Sequence, residues 1–182
     1  MEFNYLNKSS FLFNGTDMYQ RFGIQLTEEP QDVFQPGLRP RKTTIPNRSG
    51  AYDFGARFYD ERALTLSCVT TRIIERAGVR EISYLLSKKG TIRIWNEPGK
   101  YYVGRLYDAI ELEQLRRVGN RFALVFSCEP FAYGETIQRN FQGLYAPNYT
   151  GTAATPTRIE ITNTGVRDAV GIRIMQIDKK VI

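Results

Sequence analysis

Few charged side chains stand close enough in the sequence to act together. Asp60 adjoins Glu61, Glu111 lies two residues before Glu113, and Asp53 lies four before Arg57. Two carboxylates across a cleft are the apparatus of a glycoside hydrolase. Glu111 and Glu113, however, have strand spacing, which puts both on one polar face open to solvent. Asp53 and Arg57 are as readily partners in a subunit contact. Histidine is absent from all 182 residues, which removes the commonest general base near neutral pH, the usual catalytic zinc ligand and the Ser-His and Cys-His nucleophile pairs. Cys68 and Cys128 each close an apolar strand-like run, where a small buried thiol packs well, and two cysteines alone do not build a structural zinc site. No GxGxxG, GK[ST] loop, GxSxG elbow, SxxK pair or CxxC occurs. The sequence therefore assigns no catalytic, cofactor-binding or metal-ligating residue and points away from an enzyme.

The elements around these residues belong to a globular chain. Hydrophobic residues make up 42% and charged residues 24%, the proportions of a soluble protein, and the length suits one domain with a smaller appendage. Apolar runs of a few residues predict no transmembrane helix. "MEFNYLNKSS" lacks the basic start and apolar stretch of a signal peptide, so folding in a cytoplasm with reduced cysteines is expected. The net charge of +6 invites a nucleic-acid reading. The basic residues are nevertheless dispersed in short groups, Arg39 with Arg41 and Lys42, Lys88 with Lys89, Arg116 with Arg117 and Lys179 with Lys180, as expected of solvated element ends.

Periodicity predicts a mainly β fold, an antiparallel β-sandwich with one amphipathic helix, an extended hairpin arm and a short C-terminal β segment. Phe11 and Phe13 share a face of a strand ending at Asn14-Gly15, a tight-turn dipeptide, and a second strand is expected over Phe22 to Leu26. Pro30, Pro36 and Pro40 make Glu29 to Pro40 a loop. Arg41 to Ile45 reads as extended, Asn47 to Gly50 as a turn, and the aromatic, glycine-rich stretch to Tyr59 as the rest of an arm. Leu64, Leu66 and Cys68 alternate with polar residues in a half-buried strand. Val79, Ile82, Leu85 and Leu86 share one helix face, with Gly90 as its stop and Lys88 and Lys89 at the negative end of its dipole. An antiparallel meander follows: Ile92 and Ile94, a turn at Pro98-Gly99, Tyr101 to Leu106, a third strand at Ile110 and Leu112, a turn at Gly119-Asn120, then Phe122, Leu124, Phe126 and Cys128 in strict alternation. Trp95, in the first of these strands, is expected to be buried. Residues 1–135 form the main domain, 136–156 a linker, and 157–182 a partial β segment with strands at Thr157–Thr162 and Gly171–Ile177.

Four stretches in order, "FLFNGTDMYQRFGIQL", "IPNRSGAYDFGARFYDERALTLSC", "REISYLLSKKGTIRIWNEPGKYYVGRL" and "GNRFALVFSCEPFAYGE", resemble the distal tail protein (Dit) family of siphovirus-type bacteriophages. The resemblance covers about Phe11 to Glu135 and implies a structural protein of the virion, made in the bacterial host cytoplasm. It implies a homo-hexameric ring between the tail tube protein and the tail-tip hub or tail-associated lysin, with DNA passing through the opening. Receptor-binding proteins are further partners, and no membrane is involved. Ile45 to Tyr59 becomes the arm that belts the ring, with Ile45, Arg48, Tyr52, Asp53, Phe54, Arg57, Phe58 and Tyr59 as interface residues. The C-terminal segment resembles the start of the galectin-like domain many relatives carry, and is expected to stop short of completing it. Two other readings stay open on the residues alone: a small basic nucleic-acid-binding β domain, stacking bases on Tyr101, Tyr102 or Tyr107, and a carbohydrate-binding module.

Overall fold

The computed structural model describes residues 9–32, 36–55, 58–108, 117–141, 145, 151–153, 155, 157–168, 170–172 and 174. Strands β1 (Leu12–Phe13) and β2 (Thr16–Asp17) are joined by Asn14 and Gly15, both at positive φ, 49° and 77°. That is the I′ geometry whose twist matches two flanking strands. Asp17 then caps a short helix α1 (Met18–Phe22), accepting from the Gln20 N–H at 2.9 Å, and Gly23 at φ 71° ends it. The sequence reading placed a strand from Phe22. The strand β3 begins only at Ile24 and runs to Leu26, because both caps of a helix precede it and five residues are too short for a helical period to show.

A short β4 (Gln31–Asp32) interrupts the stretch expected to be loop. After it come β5 (Lys42–Thr44), β6 (Ala51–Asp53) and β7 (Arg62–Thr70), whose burial alternates strictly. Helix α2 (Arg76–Leu86) buries Val79, Ile82 and Leu86. Gly90 is not its cap. It opens β8 (Gly90–Arg93), where a Cβ would lie 2.4 Å from the Asn14 side chain, and that side chain accepts from the Thr91 N–H at 2.9 Å. The turn before β9 (Lys100–Leu106) has Pro98 in its second position and Gly99 at φ 77° in its third, a type II arrangement. The third meander strand expected at Ile110 and Leu112 lies outside the described residues. The strand β10 (Arg121–Cys128) and a short β11 (Tyr133–Gly134) complete the set.

The strands form one curled antiparallel sheet, ordered β2-β1-β8-β9-β10-β7-β3, with β11 beside β9 and β4 beside β7; β5 and β6 form a separate ribbon. The β7/β10 ladder runs from Arg62 opposite Cys128 to Val69 opposite Arg121. The far edge of β7 is shared by β3 at Cys68 to Thr70 and β4 at Leu64 and Thr65. On one face of this sheet Leu64, Leu66, Cys68, Leu124 and Phe126 meet Phe11, Phe13, Ile92 and Tyr102, and α2 adds its buried stripe. Trp95 lies in a turn after β8 and only partly packs on this core. Gly104 faces Cys128, whose Sγ a Cβ would meet at 2.5 Å, so β9 and β10 approach closely only because residue 104 has no side chain.

The chain divides into two units, Met1–Asn140 and Phe141–Ile182. In the second, Phe141 stacks on Tyr145 at 4.6 Å, and Asn163 closes a turn by bonding Arg167 and Gly165. Of the strand expected over Thr157–Thr162, residues 157–162 make no ladder among the described residues, and Ile159 and Ile161 are exposed. A period-two pattern needs a partner strand to become one, and the described residues supply none. The second expected strand lies only partly among the described residues.

Candidate functional site

The arm begins earlier than its aromatic residues suggest. Leu38 bridges Tyr59, the Asp60 N–H donates to Gly37 O at 2.7 Å, and the Arg39 N–H donates to Phe58 O at 2.8 Å. Arg39 Nε also reaches Asp60 at 2.9 Å. Farther out the Phe54 N–H donates to Arg41 O at 2.9 Å, and β5 pairs with β6 in the register Lys42 to Asp53, Thr43 to Tyr52 and Thr44 to Ala51. The turn at the tip holds Asn47 at φ 63° and Gly50 at φ 78°. Sequence reading missed the outgoing strand from Gly37, since Pro36 and Pro40 read as loop residues. A two-stranded ribbon has only free edges, so a proline whose nitrogen points outward costs no ladder bond.

The ribbon has two unlike faces. Lys42 and Asp53, opposite in register, form an ion pair at 3.9 Å on one. Tyr52 and Phe54, two apart and therefore on the other, meet edge to face at 4.8 Å, and the Arg48 guanidinium lies 5.6 Å from the Tyr52 ring centre. Tyr52, Phe54 and Phe58 are 43%, 58% and 61% exposed. Rings of this size usually find cover, and an exposed apolar patch rimmed by charge marks an interaction surface. Of the interface residues expected from sequence, Arg48, Tyr52 and Phe54 are thus brought together, and Ile45 is exposed where the tip turn begins. Asp53 is on the opposite face, where it also accepts from the Gly55 N–H at 2.9 Å. Tyr59 is at the base, packed edge to face on Phe131 at 5.2 Å. Arg57 lies outside the described residues.

Elsewhere the described residues offer little to a reaction. Cys68 and Cys128 are free and buried, and burial pushes the Cys68 thiol up to about 12, which keeps it protonated and unreactive. At the β10–β11 corner the Glu129 carboxylate accepts from Lys89 and from the Tyr133 hydroxyl. The Lys89 bond and then the Tyr133 bond hold Glu129 below its usual range, while the bond to Glu129 is the main cause lifting Tyr133 to about 12. Both shifts run away from neutrality, opposite to what general acid-base catalysis requires. Among the described residues no group of three or more His, Cys, Asp or Glu could hold a metal ion, and no helix is long and apolar enough to cross a membrane. Glu111 and Glu113 lie outside them.

No protein-family model matches the sequence, and no curated protein matches it either. Among solved structures, the fold is similar to the crystal structure of Dit (gp 19.1) of phage SPP1, a protein described as a paradigm of the hub adsorption apparatus of phages infecting Gram-positive hosts. The identity is 20% and the TM-score 0.54, over 69% of this chain. This chain spans 52% of that structure's length. At that identity the likeness is one of fold: a mainly β architecture shared with a phage tail hub protein.

Proposed function

We infer that this chain is a structural component of a bacteriophage tail tip or baseplate. It assembles through its arm into a homo-hexameric ring that connects the tail tube to the tail-tip hub and lets DNA pass. The observation that carries this reading is the two-faced ribbon, whose aromatic side, built by Arg48, Tyr52 and Phe54, has no cover within its own ribbon. Support comes from the fold likeness to SPP1 Dit and from the order of sequence stretches that resemble the distal tail family. In the ring, the arm of one subunit lies on its neighbour, with Phe58 and Arg57 extending the contact and Tyr59 fixing the base. The other partners are the tail tube protein, the hub or tail-associated lysin, and receptor-binding proteins. The molecule resides in the virion and has no chemistry of its own.

The test is to remove residues 42–53 and close Arg41 to Phe54, which already share a backbone hydrogen bond, with a short turn. The parent is expected to form rings in negative stain and a hexamer mass in solution, and the shortened form to give folded monomers. Rings of unchanged size without the arm, or a parent that stays monomeric at every concentration, would sink the reading.

A further inference from the structure

The solvent side of α2 presents Arg76, Arg80 and Tyr84 at successive four-residue steps, continued by Lys88 just past the helix end. Residues four apart lie one above another on a helix, so these form one stripe, bordering the buried stripe of Val79, Ile82 and Leu86 at Val79. Its neighbours are compensated. Arg21 pairs with Glu81, Arg72 donates to the carbonyls of Gln20 and Arg21, and the Lys88 ammonium sits 3.8 Å from the Tyr84 ring centre. Arg76 and Arg80 are different. Among the described residues neither guanidinium has a hydrogen-bond or ion-pair partner.

Intramolecular electrostatics does not account for them. Like charges one turn apart repel, and arginines early in a helix oppose its macrodipole, which favours carboxylates there. Helix α2 has no acidic residue in its first turn, and the side chain of its N-cap, Glu75, makes no capping bond. Between the two arginines and the core edge lies an open surface hollow of about 400 Å³, lined by Arg76, Val79, Arg80 and Ser83. It combines two planar forks, a hydroxyl and an apolar wall.

We propose that this face docks an acidic segment of a different protein, whose carboxylates engage the Arg76 and Arg80 guanidiniums while its aliphatic stems lie against Val79. Guanidinium forks match discrete carboxylates bidentately, and such a partner relieves both the mutual repulsion and the unfavourable dipole. A nucleic acid fits less well, because its sugar-phosphate backbone has no aliphatic stem to lay against Val79. A second copy brings another +6. The inference stands independently of ring assembly.

The experiment uses the full chain at low ionic strength and a labelled helical peptide with glutamates at i and i+4 in an Ala/Gln background. Its all-Gln counterpart and a single-stranded oligodeoxythymidine serve as comparison probes. The glutamate peptide is expected to bind, the other two to bind more weakly, and Arg76→Gln with Arg80→Gln to weaken the glutamate peptide at least about tenfold. Glutamine is a good helix former, and thermal melts confirm that the variant folds. Lys100→Gln, which removes one exposed charge elsewhere, leaves binding unchanged. Four results overturn the proposal: no binding of the glutamate peptide, equal binding by the double variant, tighter binding of the oligonucleotide lost in that variant, or a change in the chain's own oligomeric state on losing the two arginines.

Discussion

Phe126 illustrates what single positions hold. Its ring is fully buried and stacks on Phe13 at 5.7 Å, so Phe126→Ala removes a central contact between β1 and β10. The expected cost is about 3 to 5 kcal/mol, read as a lower denaturant midpoint; a loss under about 1 kcal/mol would mean the site collapses to fill the space. Glu129 gives a pH-dependent case. Its carboxylate is held low by Lys89 and Tyr133, so its contribution is present above the unfolded pKa of about 4.5 and is lost as pH falls through the lower folded value. The pair with Lys89 is partly solvated, which limits the effect to about 1 kcal/mol or less. Glu129→Gln should lower the melting temperature at pH 7, with the gap to the parent closing as pH falls below the ordinary carboxylate value of 4.5; a gap independent of pH would contradict this. Phe126 was legible in the alternation of β10. The roles of Gly90 and Gly104 were not, because what a Cβ would strike at each belongs to a strand far away in the sequence.

At the scale of elements, helix α2, β7, β9 and β10 follow from periodicity, and the Asn14-Gly15 hairpin from a dipeptide that accepts positive φ. What stayed hidden was short: α1 has five residues, and β4 and β11 have two each, below the length at which any period shows. The arm was legible as an arm from its glycines and exposed aromatics, but not its start at Gly37 or its two faces, which depend on register. Those faces make a sharp prediction. Tyr52→Ser with Phe54→Ser should leave the unfolding free energy of the isolated chain nearly unchanged, within about 0.5 kcal/mol, and abolish assembly. Lys42→Gln with Asp53→Asn, a pair in register on the other face, should leave both fold and assembly intact. Native mass spectrometry of the two double variants separates these outcomes, and equal loss of assembly in both would mean that the faces do not differ in role.

For the whole molecule, the order of strands in the sheet was not legible. Alternation shows which residues point inward, but not that β7 lies between β10 and the β3/β4 pair, which is a matter of long-range closure. Charge is legible at this scale, and it constrains function. A hexamer would bring together roughly +36 before counterions, and a conduit lined with it would hold DNA by its phosphates. We therefore expect the basic groups, Lys88 with Lys89 and Arg117, to face outward or toward adjoining rings, leaving a neutral or acidic opening; Arg116, which belongs to the same expectation, lies outside the described residues. Assembled protein should retain DNA weakly and release it by about 0.2 M salt. Retention beyond that point, lost on changing Arg116 and Arg117 to serine, would favour a nucleic-acid-binding module.

The base of the arm has a mechanical consequence. Its returning strand passes through Tyr59 and Asp60 and enters β7 at Arg62, and β7 is bonded to β10 on one edge and to β3 and β4 on the other. Tension carried by the returning strand therefore enters the sheet through β7, which is held by ladder bonds on both of its edges. A pull from a neighbour would be borne by the strand best anchored in the sheet, so the arm can be loaded without first opening the main ladder.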